Sequence, residues 1–138
     1  MIRPATRADL PGIFAIRDGA GDERLSNPHS VTEALAQRRI DAGALWVWQE
    51  ETQPVAGFAA VATATGTIEA LLVAPGQEGR GIGRALLKVA CDVLRHAGHR
   101  TATLRIEAGI PAERHYRAAG WTDAGCSAKG ELIFKKVL

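Results

Sequence analysis

The spacing of apolar residues alternates along this chain between a helical and an extended period. Apolar residues at intervals of three and four predict the first and third of four helices, each with an apolar face. The second helix is predicted by a capping box at Ser30, and the fourth by Pro111 at its start and Gly120 at its end. In the third helix Ile82, Leu86 and Leu94 share that face, and Gly98 ends it. The helices are predicted to follow the capping-box-like Thr6-Arg7-Ala8-Asp9, to run from Ser30 to near Gly43, and to cover about residues 81–97 and 111–119.

Between the helices, runs rich in β-branched and aromatic residues predict seven strands. Their predicted bounds are residues 2–4, 45–48, 55–64, 67–74, 101–106, 121–126 and 131–138. The resulting order is β-α-α-β-β-β-α-β-α-β-β. It predicts one α/β domain over residues 1–138, with a mixed central sheet flanked by helices and one helical crossover in the middle.

Composition narrows the class of protein. The chain has 138 residues, and its 17 basic and 15 acidic residues leave a net charge of only +2. That balance does not favour nucleic acid as a partner. No apolar run approaches the ~20 residues of a membrane span, and the first residues do not resemble a signal peptide, so we expect a cytoplasmic protein with no membrane partner. The histidines and cysteines show no metal-ligand spacing, so no metal is expected.

Three glycines at alternate positions, Gly79, Gly81 and Gly83, stand between a predicted strand and the third helix. Without Cβ atoms, the backbone there can approach a ligand closely. Its N–H groups then point at one place, at the positive end of the helix. Arg80 and Arg84 add positive charge on either side. This pattern predicts a site for phosphate or pyrophosphate.

Two common phosphate-binding motifs do not fit this loop. The P-loop requires Lys followed by Ser or Thr after its glycines, and no such pair follows Gly83. The dinucleotide fingerprint requires G-x-G-x-x-G after the first strand of a βαβ unit, whereas this loop reads G-x-G-x-G in the middle of the chain. A different phosphate-bearing ligand is therefore expected.

The loop and its surroundings resemble the GNAT superfamily of acetyl-CoA-dependent N-acetyltransferases. The family signature [R/Q]-x-x-G-x-[G/A] follows a strand that ends in Val-x-Pro. Here Val73-Ala74-Pro75 leads into Glu78-Gly79-Arg80-Gly81-Ile82-Gly83. The family's last helix carries a further pattern, matched here by Ala112, Tyr116, Gly120 and Trp121. Two positions depart from the family: Glu78 replaces Arg or Gln, and Gly109 replaces a frequent Asn.

The resemblance implies acetyl-CoA as the cosubstrate, with no metal. In the family the fourth strand splays from the fifth, and the pantetheine arm pairs with the fourth strand in the gap. Backbone N–H groups of Leu72 or Val73 are then expected to polarise the acetyl carbonyl. The implied cofactor-binding residues are Leu71, Leu72, Val73, Gly79, Arg80, Gly81, Ile82, Gly83 and Arg84. Glu78 is expected to face away from the phosphates, because a carboxylate there would be repelled.

The implied activity is direct transfer of an acetyl group to a primary amine in a ternary complex. By resemblance, Tyr116 is the general acid that protonates the departing thiolate. Glu69, expected on the same strand face as Leu71 and Val73, is the candidate general base, and Glu107 at the end of the fifth strand is its competitor. An inactive member or a coenzyme A sensor on the same fold stays open as the alternative.

The acceptor is expected to be an amine on a small molecule or a peptide, and its identity stays open. Three acidic residues, Asp18, Asp22 and Glu23, lie in the loop that covers the acceptor site in this family. They are either a solvated cluster or the attraction for a cationic amine. The family's C-terminal hairpin often mediates dimers, so a homodimer is compatible with the resemblance.

Overall fold

The computed structural model describes residues 1–138, and its elements follow the predicted order. Four helices are α1 (Leu10–Asp18), α2 (Glu33–Asp41), α3 (Ile82–His96) and α4 (Ala112–Ala118). Seven strands are β1 (Ile2–Pro4), β2 (Leu45–Trp48), β3 (Gly57–Ala62), β4 (Thr67–Val73), β5 (Thr101–Ile106), β6 (Thr122–Cys126) and β7 (Leu132–Val137). The predicted α/β fold is confirmed. None of the helices is both long enough and apolar enough to cross a membrane.

The strands form one mixed sheet in the order β1-β2-β3-β4-β5-β7-β6. Neighbouring strands are antiparallel except β4 and β5, which run parallel and are connected by α3. β4 and β5 pair only at Thr67–Thr103 and Ile68–Leu104. After Ile68 the two strands diverge, so the C-terminal half of β4 has a free edge. We call the gap between β4 and β5 the split.

An apolar core covers each face of the sheet. On one face α3 and α4 bury Leu71, Leu86 and Tyr116. On the other face α1 and α2 pack on the sheet, and Ile13 of α1 and Leu72 of β4 are buried in that core. Full burial of a leucine or isoleucine side chain contributes about 1.5–3 kcal/mol. Because Leu71 and Leu72 anchor opposite faces, β4 is held firmly although one of its edges is free.

A β-bulge interrupts β4 at Glu69. Ala60 of β3 pairs with Ala70, and the next residue, Val61, pairs with Ile68, so Glu69 is left without a partner. The bulge breaks the strict alternation of side chains. Glu69 therefore ion-pairs with Arg39 of α2, whereas Leu71 packs in the core under α3. The expectation that Glu69 shares a face with Leu71 and Val73 is wrong for this reason.

The start of α2 also differs from the prediction. The helix begins at Glu33, and its cap is Thr32, whose hydroxyl accepts a 3.1 Å hydrogen bond from the Leu35 N–H. Ser30, the predicted cap, lies in a preceding 3-10 turn, where its hydroxyl donates to the Asn27 carbonyl at 2.7 Å. Both residue types suit an N-cap. Because the 3-10 turn Pro28–Ser30 uses Ser30, Thr32 is left to cap α2.

Candidate active site

The glycine loop leaves a row of backbone donors free at the start of α3. Gly79 and Gly81 have φ of +79° and +82°, a region that other residues rarely adopt, and open space surrounds both. The N–H groups of residues 78–84 have no hydrogen-bond partner in the protein, and Ala85 is the first to donate, to the Gly81 carbonyl. Together with the positive end of the helix dipole, these donors suit a phosphate group.

A cavity of about 310 Å³ opens beside this loop on the α3 face of the sheet. Arg84 lines it and supplies a positive charge. Glu78 is also among the residues that line it. The remaining lining residues are Glu23, Leu25, Val73, Gln77, Gly79, Gly81, Ile82, Gly83 and His115.

Arg80 does not line this cavity. Its guanidinium donates hydrogen bonds to Glu50 and to Gln77, on the other side of the loop. Of the two arginines predicted to attract phosphates, only Arg84 lines the cavity. Arg80 contributes its backbone N–H to the free row.

The free edge of β4 offers further backbone donors in the split. Successive N–H groups along a strand point to opposite edges. The Leu71 N–H points into the split, where it donates a 3.0 Å hydrogen bond to the Ser26 hydroxyl. The Ala74 N–H points to the other edge and bonds the Ala56 carbonyl. By this alternation the Leu72 N–H faces β3, and the Val73 N–H faces the split.

Tyr116 of α4 is buried on the α3 side of the sheet, with 1% of its surface exposed. Its ring packs edge-on against Trp121 at a centroid distance of 5.9 Å. Its hydroxyl donates a 2.7 Å hydrogen bond to the Leu25 carbonyl. Burial raises the pKa of the Tyr116 phenol, because a phenolate would be poorly solvated there. The hydroxyl is therefore a protonated hydrogen-bond donor throughout the neutral range.

Residues 23–27, which we call the strap, lie over the split. Ser26 accepts the bond from Leu71, and Leu25 accepts the bond from Tyr116. Arg24 of the strap donates two hydrogen bonds to the Glu107 carboxylate, at 3.0 and 2.8 Å. Sequence reasoning assigned no role to Arg24, Leu25 or Ser26, because nothing in a charged loop pattern marks which residues reach a distant strand.

Both candidate bases are ion-paired. Glu69 accepts a 2.5 Å hydrogen bond from the guanidinium of Arg39, and both side chains are about a quarter exposed. Glu107 is held by Arg24, and these hydrogen bonds lower the pKa of its carboxyl because they favour the charged form. The two carboxylates therefore have different surroundings: Glu69 is tied to α2, and Glu107 is tied to the strap.

A second cavity, of about 460 Å³, lies on the α2 face of the sheet. Glu69 lines it, and so does Asn27 at the end of the strap. Because Leu25 lines the first cavity, the strap passes between the two. The other lining residues are Ser30, Thr65, Thr67, Ile68, Arg105, Lys129 and Glu131.

Two of the three acidic residues of the first loop have described surroundings. Asp18 is ion-paired with Arg17, and Glu23 lines the first cavity rather than the second. No three His, Cys, Asp or Glu side chains are grouped closely enough to hold a metal ion. The site thus offers a glycine loop whose free N–H groups suit a phosphate, a split with backbone donors, and a buried hydroxyl that bonds the strap.

Comparison with known proteins connects this arrangement to one family. The sequence model of the acetyltransferase (GNAT) family matches residues 14–121. The chain is also 40% identical over 76 residues to a streptothricin acetyltransferase from Streptomyces lavendulae. That match covers 51% of this chain and 40% of the relative, so the chain spans less than half of that protein.

Solved structures share the fold over the whole chain. A ribosomal-protein-alanine N-acetyltransferase from Brucella melitensis is 27% identical, with a TM-score of 0.74 and coverage of 100% of this chain and 99% of that chain. The protein yncA from Salmonella typhimurium, solved with its cofactor acetyl-CoA, is 23% identical, with a TM-score of 0.75 and coverage of 100% and 93%. By its family match and its architecture, the chain belongs to the GNAT acetyltransferase family.

Proposed function

We propose that this protein transfers an acetyl group from acetyl-CoA to a primary amine by direct attack in a ternary complex. One observation carries the proposal. The Tyr116 hydroxyl and the Leu71 N–H donate hydrogen bonds to consecutive strap residues, Leu25 and Ser26, so both donors meet at one point of the split. That point lies between a phosphate-binding loop on one face of the sheet and a polar cavity on the other.

The residues present fit coenzyme A. The free N–H groups of residues 78–84 and the Arg84 guanidinium suit a pyrophosphate. The N–H groups of Leu71 and Val73, which face the split, suit the amide-bearing pantetheine arm. When bound, acetyl-CoA would supply an acetyl group activated as a thioester.

Two groups of the chain would assist the transfer. Tyr116 holds a proton on its hydroxyl oxygen, which makes it the general acid for a thiolate leaving group. The N–H groups at the free edge of β4 are donors for the carbonyl oxygen, and they are preorganised because both cores fix the strand. The buried surroundings of Tyr116 keep bulk water away from this point.

We assign the general base to Glu69. It lines the cavity on the α2 face, from which an amine would approach, whereas Glu107 does not line that cavity. Glu107 is instead held by two hydrogen bonds from Arg24 of the strap. Arg39 would orient the Glu69 carboxylate, which takes the amine proton directly or through one water.

The second cavity would bind the acceptor, a small molecule or a peptide. Arg105 and Lys129 line it and form no ion pair in the structure. Two free cations favour an acceptor that carries an anionic group besides its amine. The two relatives, a streptothricin acetyltransferase and a ribosomal-protein-alanine N-acetyltransferase, set the range of acceptors to test.

The test is an amine panel with acetyl-CoA, read by thiol release and by mass spectrometry of the product. The panel contains amino acids, peptides with free N-termini, polyamines and streptothricin. We expect thiol release that depends on the amine, together with an acetylated product, and fastest turnover among amines that carry a carboxylate. Tight coenzyme A binding without any acetylated amine would instead support the alternative, a coenzyme A sensor on the same fold.

A further inference from the structure

The strap engages the same groups that the proposed chemistry requires. The Leu71 N–H has one hydrogen, and it points to the Ser26 hydroxyl at 3.0 Å. The Tyr116 hydroxyl also has one hydrogen, and it points to the Leu25 carbonyl at 2.7 Å. Neither hydrogen is free for another acceptor while the strap lies in this position.

We propose that Leu25 and Ser26 are an internal substitute for the cofactor, which acetyl-CoA must displace before it can bind productively. The inference rests on the proposed function, since it takes the split as the pantetheine site. The Ser26 hydroxyl and the Leu25 carbonyl present oxygen atoms to Leu71 and Tyr116, at the positions that a carbonyl oxygen and the sulfur of acetyl-CoA would take. The strap is thus a built-in competitor for this part of the site.

The strap is held in the split by more than these two bonds. Ser26 is one of only two polar or charged residues buried in the whole chain, at 8% exposure. Arg24 fastens the strap to Glu107 through two hydrogen bonds. The Leu25 side chain lies against Gly83, where a Cβ atom would come within 2.7 Å of it. The strap therefore fits the glycine loop as well as the split.

The position of the strap couples the two cavities. It separates the cofactor side, lined by Leu25, from the acceptor side, lined by Asn27. Its release by the cofactor would join the two sides and free Tyr116 at the same time. The apparent affinity for coenzyme A is then the intrinsic affinity reduced by the fraction of molecules with an open strap. Weakening the strap should raise the measured affinity.

The experiment compares coenzyme A binding by wild type, Ser26→Ala and Arg24→Gln, using calorimetry for affinity and stopped flow for association. Each variant removes strap contacts without changing Leu71 or Tyr116. Loss of one hydrogen bond predicts roughly two- to tenfold tighter binding and faster association. Thr122→Ala, which removes a hydroxyl from β6 at a residue that lines neither cavity, is the control and should bind as wild type does. Thermal unfolding checks that each variant is folded. If Ser26→Ala does not fold, the result for Arg24→Gln decides the test.

Hydrogen exchange gives an independent readout in the wild-type protein. Addition of coenzyme A should speed exchange of the Arg24 amide, which donates to the Gly21 carbonyl while the strap lies in the split. Unchanged or weaker binding by the folded strap variants, or slower exchange of the strap, would overturn the inference while leaving coenzyme A binding intact. If the variants bind coenzyme A more tightly but no amine is acetylated, the proposed function would be contradicted, while the competition between the strap and the cofactor would be supported. Wild-type protein that does not bind coenzyme A would contradict both.

Discussion

The Tyr116 hydroxyl donates a 2.7 Å hydrogen bond to the Leu25 carbonyl, which lies 91 residues away in the sequence. This bond satisfies a hydroxyl that is otherwise surrounded by apolar side chains. It also fixes the direction in which the only proton of the phenol points. Because burial raises the pKa of Tyr116, that proton stays on oxygen at every pH at which the protein would work.

Tyr116→Phe should therefore slow catalysis while the fold remains intact. A general acid typically contributes ~100- to 10,000-fold. We expect kcat to fall at least about tenfold, because water can replace part of the role, and acetyl-CoA affinity to stay the same or to rise slightly as the strap loses one contact. The loss should be smaller for an acyl donor whose thiol has a lower pKa, since that leaving group needs less protonation. Steady-state kinetics with both donors measures this.

Tyr116→Ala separates the acid role from packing. Removing the ring leaves a cavity beside Trp121 and Phe134, so this variant should lose about 3–5 kcal/mol of unfolding free energy. A Phe variant with wild-type kcat, next to an unstable Ala variant, would show that Tyr116 only packs the core.

Glu69→Gln tests the assignment of the base. A general base typically contributes ~100- to 10,000-fold, and the amide of Gln cannot take a proton from the amine, so Glu69→Gln should lower kcat/KM at neutral pH at least about tenfold. Its affinity for coenzyme A should stay unchanged. Glu107→Gln should keep most of the wild-type kcat/KM and should bind coenzyme A more tightly, because it releases Arg24 of the strap. A large loss of kcat/KM in Glu107→Gln, with little loss in Glu69→Gln, would instead assign the base to Glu107.

Most of the fold follows from the sequence because each element has its own local signal. The spacing of Leu86 and Leu94 indicates α3, and Gly98 indicates its end; the structure confirms a helix over Ile82–His96. The bulge at Glu69 has no such signal. It is decided by the pairing of β3 with β4 and by the position of Arg39 on α2, and both are long-range contacts.

The candidate site is only partly predictable for the same reason. The alternate glycines indicate Gly79 and Gly81, whose positive φ angles and open surroundings match the expectation. The direction of the Arg80 side chain depends on Glu50, thirty residues earlier, so sequence spacing cannot show it. The burial of Ser26 depends on a split that forms only in the assembled sheet. The homodimer stays a prediction.

Gly81→Val should abolish coenzyme A binding. A β-branched residue is strained at φ +82°, and its side chain would stand among the free N–H groups at the start of α3. Gly76→Val is the matched control, since Gly76 has a similar φ of +86° and open space but does not line the cavity. The two variants should lose similar stability, and only Gly81→Val should lose binding by calorimetry. Equal binding of coenzyme A by both variants would show that the glycine loop is not part of the cofactor site.

Arg84→Ala should weaken coenzyme A binding more than Arg80→Ala does. The Arg84 guanidinium lines the cavity, whereas that of Arg80 is held by Glu50. The loss in the Arg84 variant should be smaller for pantetheine, which lacks the phosphates. Exposed charge pairs are screened by salt, so wild-type affinity should fall with ionic strength more steeply than that of Arg84→Ala. Equal losses for coenzyme A and pantetheine would show that Arg84 only supports the fold.

Asp9→Asn should destabilise the protein at neutral pH and much less in acid. Asp9 is 9% exposed and accepts two 2.8 Å hydrogen bonds from Arg3, besides one from the Thr6 N–H. The Arg3 bonds lower the pKa of Asp9 in the folded state, while the unfolded value is about 3.9.

A lowered folded pKa contributes stability that is present above the unfolded pKa and is lost as pH falls through the folded value. Hydrogen bonds to charged groups contribute about 1.5–3 kcal/mol, and the partial exposure of Arg3 reduces this to about 1–2 kcal/mol. Urea unfolding of wild type and Asp9→Asn should therefore differ by about that amount at pH 7, and the difference should shrink steadily below pH ~4. Asp41→Asn, which breaks the fully exposed pair with Arg7, is the matched control and should be close to wild type at both pH values. A difference between wild type and Asp9→Asn that does not change with pH would mean that the ion pair adds no stability and that the carboxylate acts only as a neutral acceptor could.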